Sequence, residues 1–317
     1  SRLAQDIGAA SQTTAYAYDA NGNVTSVTDP LSHATTSAYD ALNRLIRTTD
    51  PTGGQINYAY NGQDQLTQVT DPRNLATTYA VDGLGNVTTQ VSPDTGTTQS
   101  VYDAAGNLTS RSDAKGQSTT YQYDALNRVT LVTHADGSQV RTTYDLGTNG
   151  IGRVRLIEEL TGGNVTASIQ YGYDALGRVT SEARALAGVV HTTTYGYANG
   201  RLASVTYPSG RRIDYTHDGL GRISQIQLTD NGQVKVLASA IQYQPFGGVK
   251  SFMNGANQTI TRSFDQDGRI ASYSLGGQTW LVGYDAASRI TFQTDAGNAA
   301  NTASYGYDAA DRLTGAV

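Results

Sequence analysis

The sequence has no cysteine, one methionine, one tryptophan and six prolines among its 317 residues. Without cysteine, the chain forms neither a disulfide framework nor a thiolate-ligated metal site. Charged residues amount to 15%, the net charge is −5, and lysine occurs only at Lys115, Lys235 and Lys250. Because no basic run is present, nucleic acid is not an expected partner. No apolar stretch reaches the roughly 18 residues that a transmembrane helix needs, so the sequence predicts no such segment.

What the chain does contain is a phrase that it repeats. "YDALNRLIRTTDP" begins at Tyr39, and near copies begin at Tyr18 and Tyr123. We call the first residue of each copy the anchor. The first six steps between anchors are all 21 residues, and later steps vary between 20 and 29. Such even spacing is typical of repeat architectures. The anchors are Tyr18, Tyr39, Tyr60, Val81, Tyr102, Tyr123, Tyr144, Tyr173, Tyr197, His217, Tyr243, Phe264, Tyr284 and Tyr307.

Each repeat has the pattern of a β-hairpin. Before the anchor, residues alternate so that paired tyrosines such as Tyr121 and Tyr123 share one face of a strand. After the anchor, an aspartate is expected to accept hydrogen bonds from amides two or three residues further on. The fourth residue after the anchor is usually glycine, asparagine or aspartate, which tolerate a positive φ. Gly247 follows this rule, whereas Ser288 breaks it and predicts the weakest turn.

A second strand is expected six residues after the anchor, where an aliphatic residue returns in 12 of the 14 repeats. It ends at turns such as Asp29-Pro30 and Asp50-Pro51, because proline stops a strand. The predicted fold is therefore all-β, with tandem antiparallel hairpins forming one long sheet of about 28 strands. Because a twisted sheet of that width does not stay flat, we expect it to curl or spiral so that its tyrosine, leucine and valine face turns inward.

The whole chain, residues 1–317, reads as a single array: regular repeats cover about 1–144 and irregular repeats about 145–317. We expect the array to be a fragment of a longer protein. Extra residues after Tyr144 ("DLGTNGIG") and after Ile226 ("LTDNGQVKVLAS") should protrude or extend hairpins. The residues expected to define the repeat structurally are Tyr18, Asp19, Tyr39, Asp40, Tyr60, Tyr102, Asp103, Tyr123, Asp124, Tyr173, Asp174, Tyr284, Asp285, Tyr307 and Asp308.

Candidate catalytic, metal and cofactor sites are weak in this sequence. The four histidines lack metal-ligand spacing, and Glu158 and Glu159 are adjacent, which places them on opposite faces of a strand. "DANGN" at 19–23 is better read as a turn than as a calcium loop. We therefore expect no catalytic residue, no cofactor and no metal, and the chain is predicted not to be an enzyme.

Arginines recur five residues after seven anchors, and two interpretations stand. They could form a basic ladder for a polyanion, or each could lie beside the turn aspartate of its own or the next repeat. The second is favoured because acidic residues recur at the same period. The seven are Arg44, Arg128, Arg178, Arg222, Arg269, Arg289 and Arg312.

The phrase Y-D-x-x-G/N-R/N-L/V at a period near 21 resembles the YD repeat of the Rhs family, over essentially Tyr16 to Leu313. That family includes the C component of insecticidal toxin complexes, polymorphic toxins and the teneurins. The resemblance implies a sheet that spirals into a hollow shell, secreted or surface-exposed, which encloses a toxic C-terminal domain. The sequence departs from the family pattern because it ends within the repeats, and neither a closing segment nor a self-cleavage motif is present.

Two functional hypotheses follow. The first is a structural shell segment of an Rhs-type secreted protein, whose partners are neighbouring repeats or a toxin or effector domain of the parent protein. The second is a cell-surface adhesive module that binds carbohydrate through tyrosine and threonine on open strand faces. The end strands, "GAASQTTAYAY" and "DRLTGAV", carry little charge and no proline, so we also expect self-association through open sheet edges.

Overall fold

The computed structural model describes residues 2–245 and 247–317, and every regular element in those ranges is a β-strand. The strands form one unclosed antiparallel sheet of 29, so the predicted all-β hairpin fold is confirmed. The bounds of the strands are β1 Gln5–Ile7, β2 Thr13–Tyr18, β3 Val24–Thr28, β4 Ala34–Tyr39, β5 Leu45–Thr49, β6 Gln55–Tyr60, β7 Leu66–Thr70, β8 Ala76–Val81, β9 Val87–Ser92, β10 Gly96–Tyr102, β11 Leu108–Ser112, β12 Ser118–Tyr123, β13 Val129–Thr133, β14 Gln139–Tyr144, β15 Val154–Thr161, β16 Asn164–Tyr173, β17 Val179–Leu186, β18 Val189–Ala198, β19 Arg201–Thr206, β20 Arg212–His217, β21 Ile223–Asp230, β22 Gln233–Tyr243, β23 Val249–Asn254, β24 Thr259–Phe264, β25 Ile270–Leu275, β26 Gln278–Tyr284, β27 Ile290–Asp295, β28 Asn298–Tyr307 and β29 Leu313–Ala316.

The chain divides into two compact units. The first unit comprises Ser1–Thr77 and Ala240–Val317, and the second comprises Thr78–Ser239. In the first unit, strands pair in chain order from β1 to β7 and again from β23 to β29. In the second unit, they pair in chain order from β8 to β22. Each repeat therefore contacts its sequence neighbours through strand pairing, as expected of a repeat array.

The hairpin pattern read from the sequence is present strand by strand. The aliphatic residue six positions after the anchor is the first residue of a strand in all 12 repeats that have one, from Val24 to Leu313. One feature was not predicted: a β-bulge lies just before most anchors, for example between Gln122 and Tyr123. The extra, unpaired residue is Thr130 on strand β13, which lies between the partners of Gln122 and Tyr123. Its hydroxyl donates to the Gln122 carbonyl at 3.3 Å. Bulges of this kind re-aim the side chain beside them.

Successive turns lie at opposite ends of the strands, so the sheet has two rims, each made of every second turn. Turns that follow an anchor form the anchor rim, and turns that follow the second strand form the opposite rim. The five-residue anchor turns are 19–23, 40–44, 61–65, 82–86, 103–107, 124–128, 174–178, 218–222, 265–269, 285–289 and 308–312. The five-residue opposite turns are 8–12, 29–33, 50–54, 71–75, 113–117, 134–138, 207–211 and 254–258.

The fourth residue after the anchor adopts a positive φ in these anchor turns, as the sequence predicted, from Gly22 to Asp311. Ser288 has a φ of 67° and forms the same turn as its neighbours, and the prediction that this turn is the weakest stays a prediction. The expectation for Gly247 was wrong. Gly247 does not adopt a left-handed φ, although its amide donates to the Gln244 carbonyl.

Extra residues extend hairpins and loops, as predicted for the irregular half. After Tyr144, the segment 145–153 is a long loop, and β15 and β16 are 8 and 10 residues long. "LTDNGQVKVLAS" lies in β21 and β22, which reach 8 and 11 residues, so this hairpin extends beyond the length of the regular repeats.

The edges of the sheet differ partly from expectation. The first strand is the short β1, which pairs with β2, so "GAASQTTAYAY" is not the edge. The last strand is β29, within "DRLTGAV", as predicted.

The apolar interior is thin: among described residues, only Leu160, Val205 and Ala238 are buried hydrophobic side chains. No helix in the described ranges has the length and apolar character needed to cross a membrane.

Candidate functional site

The anchor turn is built around its first aspartate. In the turn 124–128, Asp124 Oδ1 accepts hydrogen bonds from the amides of Leu126 and Arg128 at 2.9 and 3.0 Å. The Asp124 amide in turn donates to the Arg128 carbonyl at 3.0 Å. The amides that bind the carboxylate are therefore two and four residues on, not two or three as the sequence predicted. One carboxylate oxygen thus satisfies two backbone donors that a tight turn would otherwise leave unpaired.

The recurrent arginine occupies the second carboxylate oxygen. Arg128 Nε donates to Asp124 Oδ2 at 2.7 Å, and its terminal nitrogens reach Asp145 of the next repeat at 3.1 and 2.5 Å. All seven arginines pair with the aspartate of their own turn, so the favoured structural interpretation is confirmed. Arg44 and Arg289 also reach an aspartate in the next anchor turn, Asp64 and Asp311, each at 2.7 or 2.6 Å.

The anchor tyrosine of the next repeat completes the arrangement. The Arg128 guanidinium lies 4.3 Å from the centre of the Tyr144 ring, within the range of a cation–π contact. The Tyr144 hydroxyl donates to the carbonyl of Val129, the first residue of β13, at 3.0 Å. We call this unit the inter-repeat clasp: an aspartate and arginine from one turn, and the tyrosine of the following anchor. It connects each repeat to the next without any residue outside the pair.

The clasp recurs along the chain. Cation–π contacts join Arg44 to Tyr60, Arg178 to Tyr197, Arg269 to Tyr284 and Arg289 to Tyr307 at 4.2 to 4.9 Å. Anchor hydroxyls donate to a carbonyl of the preceding repeat at 2.6 to 3.2 Å for Tyr39, Tyr60, Tyr102, Tyr123, Tyr144, Tyr173, Tyr197, Tyr284 and Tyr307. Tyr18 donates to the Leu3 carbonyl at 2.8 Å in the same way.

The predicted repeat-defining residues lie at strand ends and turn starts, and three of their tyrosines, Tyr60, Tyr284 and Tyr307, each lie against one of the seven arginines. Each of the eight tyrosines is the last residue of its strand, and each predicted aspartate is the first residue of an anchor turn. In "DANGN", the Asp19 oxygens bind the amides of Gly22 and Asn23 and the Asn23 side chain, as in a turn. Glu158 is half-buried and pairs with Arg141 at 2.8 Å, while Glu159 is exposed.

Electrostatics follow from this bonding. The pKa of Asp124 lies below its ordinary value of 3.8, chiefly because the Arg128 side chain donates to it and then because the Arg128 amide does. The pKa of Arg128 is raised, first by its hydrogen bonds to Asp145 and then by those to Asp124. Burial raises the pKa of Tyr123 above its ordinary value of 10.0. Each of these groups keeps the protonation state that the clasp requires at neutral pH.

A second arrangement lies within the first unit, where turns near the two ends of the chain meet. The Ala9 amide donates to Asp267 Oδ1 at 3.0 Å, which joins the opposite turn 8–12 to the anchor turn 265–269. A cavity of about 590 Å³ lies beside this bond, between the opposite turn 29–33 and the anchor turn 285–289. Pro51 and Ala310 line a smaller cavity of about 280 Å³, between opposite turn 50–54 and anchor turn 308–312. We call the line along which the opposite turns 8–12, 29–33 and 50–54 lie against the anchor turns 265–269, 285–289 and 308–312 the seam.

Three metal-ligating side chains converge in the seam. Asp29, His33 and Asp311 each offer one ligand atom, and these atoms lie within 4.8 Å of one another. No local pattern in the sequence indicates this cluster, because Asp311 lies near the other end of the chain. Arg289 Nη1 already holds Asp311 Oδ1 at 2.6 Å, and Asp29 Oδ1 accepts the amides of Leu31 and His33. His33 stands four residues after Asp29, in the position that Arg44 takes after Asp40, and its Nδ1 lies 3.2 Å from Asp29 Oδ2.

The repeat matches a known protein family. The model of that family, described as RHS Repeat, matches residues 2–34, 18–55, 39–76, 60–98, 102–146 and 196–234, which together cover more than half of the chain. The chain belongs to the RHS repeat family. The seven arginine–aspartate pairs and the tyrosine hydroxyl bonds are therefore features of an Rhs repeat array as this sequence builds it.

Solved structures with the same fold are parts of toxin complexes. The TcdB2–TccC3–Cdc42 crystal structure matches with a TM-score of 0.78 at 17% identity, over 96% of this chain and 19% of the other. The TcdB2–TccC3 crystal structure gives 0.77 at 16% identity, over 96% and 20%. The Tc holotoxin pore of Photorhabdus luminescens gives 0.66 at 15% identity, over 96% and 19%. This Rhs array thus spans about a fifth of the chains it matches. Among curated proteins, none matches it.

Proposed function

We propose that this Rhs array is a wall segment from the shell of a secreted protein, and that the longer protein encloses an effector domain. The observation that carries the proposal is the inter-repeat clasp. Its aspartate, arginine and tyrosine bind one another and the backbone of adjacent repeats, so the recurrent polar groups hold the sheet together. The likeness in fold to TcdB2–TccC3 supports the same role.

Electron microscopy of the full-length protein tests the proposal directly. We expect a closed hollow body with additional density inside, and an effector segment that resists protease while the body is intact. The control is the same effector segment expressed alone, which should be digested under identical conditions. A solid particle, a rod, or an effector segment cleaved equally fast in both samples would contradict the proposal.

We also propose that the wall segment itself catalyses no reaction. The recurrent carboxylates are supporting evidence, because Asp124 uses both oxygens in structural hydrogen bonds. The adjacent pair Glu158 and Glu159 offers a further test, since one is ion-paired and the other exposed. Any activity of the full-length protein should be unchanged by Glu158→Gln and by Glu159→Gln.

The adhesive hypothesis is less well supported by the arrangement of the tyrosines. Sugar rings stack on exposed aromatic faces, but arginines cover the rings of Tyr60, Tyr144, Tyr197, Tyr284 and Tyr307. A glycan array separates the two functions. Reproducible binding that is lost on Tyr207→Ala, at an exposed tyrosine of the opposite rim, would favour adhesion.

A further inference from the structure

The seam shows that the two rims of this chain fit each other. Within the first unit, the opposite turns 8–12, 29–33 and 50–54 lie against the anchor turns 265–269, 285–289 and 308–312. In two of these anchor turns, the residue two positions after the first aspartate lies at the seam. At this position, Asp267 accepts the amide of Ala9 and Ala310 lines the cavity that contains Pro51. The contact is head to tail, because an anchor rim meets an opposite rim.

The same position carries leucine on the anchor rim of the second unit. Leu84, Leu126, Leu176 and Leu220 are 74%, 70%, 74% and 75% exposed. Each is fixed in place, because its amide donates to the turn aspartate at 2.9 Å. Leu146 and Ile151, in the loop 145–153 of this rim, are exposed as well. These leucines occupy every second loop of the anchor rim, and Ala105, Leu146 and Ile151 lie between them, so the rim of this unit presents mainly apolar side chains.

The opposite rim offers a matching row. Pro30 and Pro51, which line the seam, each follow the first aspartate of their turn. In the second unit the equivalent positions are Ala114, Ala135 and Pro208. These residues are small and apolar, and they recur at the spacing of the repeats. Leucines on an anchor rim would therefore face alanine and proline on an opposite rim, as Ala310 and Pro51 line one cavity in the seam.

We propose that the leucine row on the anchor rim of the second unit is a docking surface for the opposite rim of a second copy of this chain. The seam supplies the geometry, since it joins the same two kinds of turn within one molecule. A head-to-tail contact leaves a free rim on each partner, so association is open-ended unless the rotation closes. The proposal does not depend on encapsulation by a longer protein, because it concerns this chain alone.

Sedimentation velocity over a wide concentration range tests the proposal. The rim variant carries Leu84→Gln, Leu126→Gln and Leu176→Gln, because Gln63 already occupies this position in a well-formed turn. We expect the wild type to associate with rising concentration and the rim variant to associate about tenfold or more weakly. The control, Val101→Gln, changes an exposed aliphatic residue on strand β10, outside the anchor turns and their leucines, and should associate like the wild type.

Cross-linking identifies the surface that meets the leucines. Because the chain has no cysteine, single-cysteine variants Leu126→Cys and Ala135→Cys can be mixed and treated with a short bismaleimide. We expect mixed dimers from this pair and few from Leu126→Cys mixed with Val101→Cys. A wild type that stays monomeric would overturn the proposal. So would a folded rim variant that associates as tightly as the wild type, which would point to pairing at the sheet edges instead.

Discussion

The two rims of the sheet are built from turns of similar shape but behave differently along the chain. On the anchor rim, the five-residue turn is replaced by the loop 145–153 and by the tight turn at Asn199 and Gly200, and the turns 19–23 to 308–312 given above start with aspartate except at Asn61. On the opposite rim, five-residue turns give way to tight ones at Gly162–Gly163, Gly188, Gly232 and Gly276–Gly277. The strands that follow the first three of these tight turns are 10 or 11 residues long.

The difference shows where the repeat is constrained. An anchor turn must deliver an arginine to the next tyrosine ring, as Arg128 does for Tyr144, so its length and register are fixed. An opposite turn need only reverse the chain, as Asp113 does with the amides of Lys115 and Gln117. Length therefore varies mainly where no side chain has to reach the neighbouring repeat.

Acid should weaken the whole sheet. The pKa values of Asp40, Asp103, Asp124 and Asp174 are lowered in the folded state, so their stabilising contribution is complete above the unfolded value and is lost as pH falls through the folded values. We expect the melting temperature to fall by on the order of 10 °C between about pH 5 and pH 3. Asp124→Asn should reduce this pH dependence. A melting temperature that is flat over this range would contradict the account.

The two turns that flank strand β12 give the sharpest single-residue comparison. Asp124→Ala removes the carboxylate oxygen that accepts hydrogen bonds from two backbone amides, and it also removes the ion-pair partner of Arg128. Asp113→Ala removes only an oxygen that accepts from two backbone amides. We expect the melting temperature to fall by roughly 4 to 8 °C for Asp124→Ala and by about half as much for Asp113→Ala. Equal losses, measured by calorimetry, would mean that the arginine adds nothing to the anchor turn.

Removing the arginine isolates the link between repeats. Arg128→Ala leaves Asp124 and Asp145 without their shared partner and uncovers the Tyr144 ring. We expect a fall in melting temperature of about 3 to 5 °C, only partly restored in Arg128→Lys because lysine lacks the planar fork. Arg212→Ala serves as the control, since Arg212 makes one exposed pair with Asp214 and its loss should be close to neutral.

The hydroxyl of the anchor tyrosine can be deleted without changing its ring. Tyr123→Phe removes the hydrogen bond from Oη to the Leu108 carbonyl, which is 2.8 Å long. We expect the free energy of unfolding, measured by urea titration, to fall by about 1 kcal/mol. Tyr121 lies two residues earlier on the same strand, and Tyr121→Phe is the matched control, expected to be nearly neutral. The prediction fails if both variants lose the same stability.

The smallest effect is expected at Ser288, the serine with a positive φ of 67°. Ser288→Gly relieves the left-handed strain but loses the hydrogen bond from Arg269 Nη1 to the serine hydroxyl, which is 2.9 Å long. The net change should be a stabilisation of a few tenths of a kcal/mol, up to about 1 kcal/mol. Asn43→Gly, at the equivalent position, should change less, because asparagine tolerates this conformation better. Destabilisation of Ser288→Gly would show that the hydroxyl bond outweighs the strain.

The sequence was sufficient for the strands and most turns because their determinants are local. Alternation before Tyr123 and the aliphatic residue at Val129 set two strands, and Asp124 set the turn between them. Pairing of Arg128 with Asp124 also followed from spacing alone. Ser288 shows that a residue can adopt a positive φ that its intrinsic preference opposes when it lies in the same turn as its neighbours.

The link from arginine to the next tyrosine was missed, although the sequence carries a signal for it. Among the seven arginines, the six with a following anchor are all followed by tyrosine, and none precedes Val81, His217 or Phe264. Asp267 and Ala9 could not have been paired in this way. They are separated by 258 residues, and no local pattern connects them.

The inter-repeat clasp has a consequence for how such proteins change length over evolution. Because each clasp spans only one repeat and its immediate neighbour, duplication or loss of a whole 21-residue unit by unequal recombination recreates the same contacts at the new junction. A gene for this array can therefore gain or lose repeats in single steps without compensating mutations. Insertions of other lengths survive on the opposite rim, where they lengthen a hairpin and leave the clasp register intact.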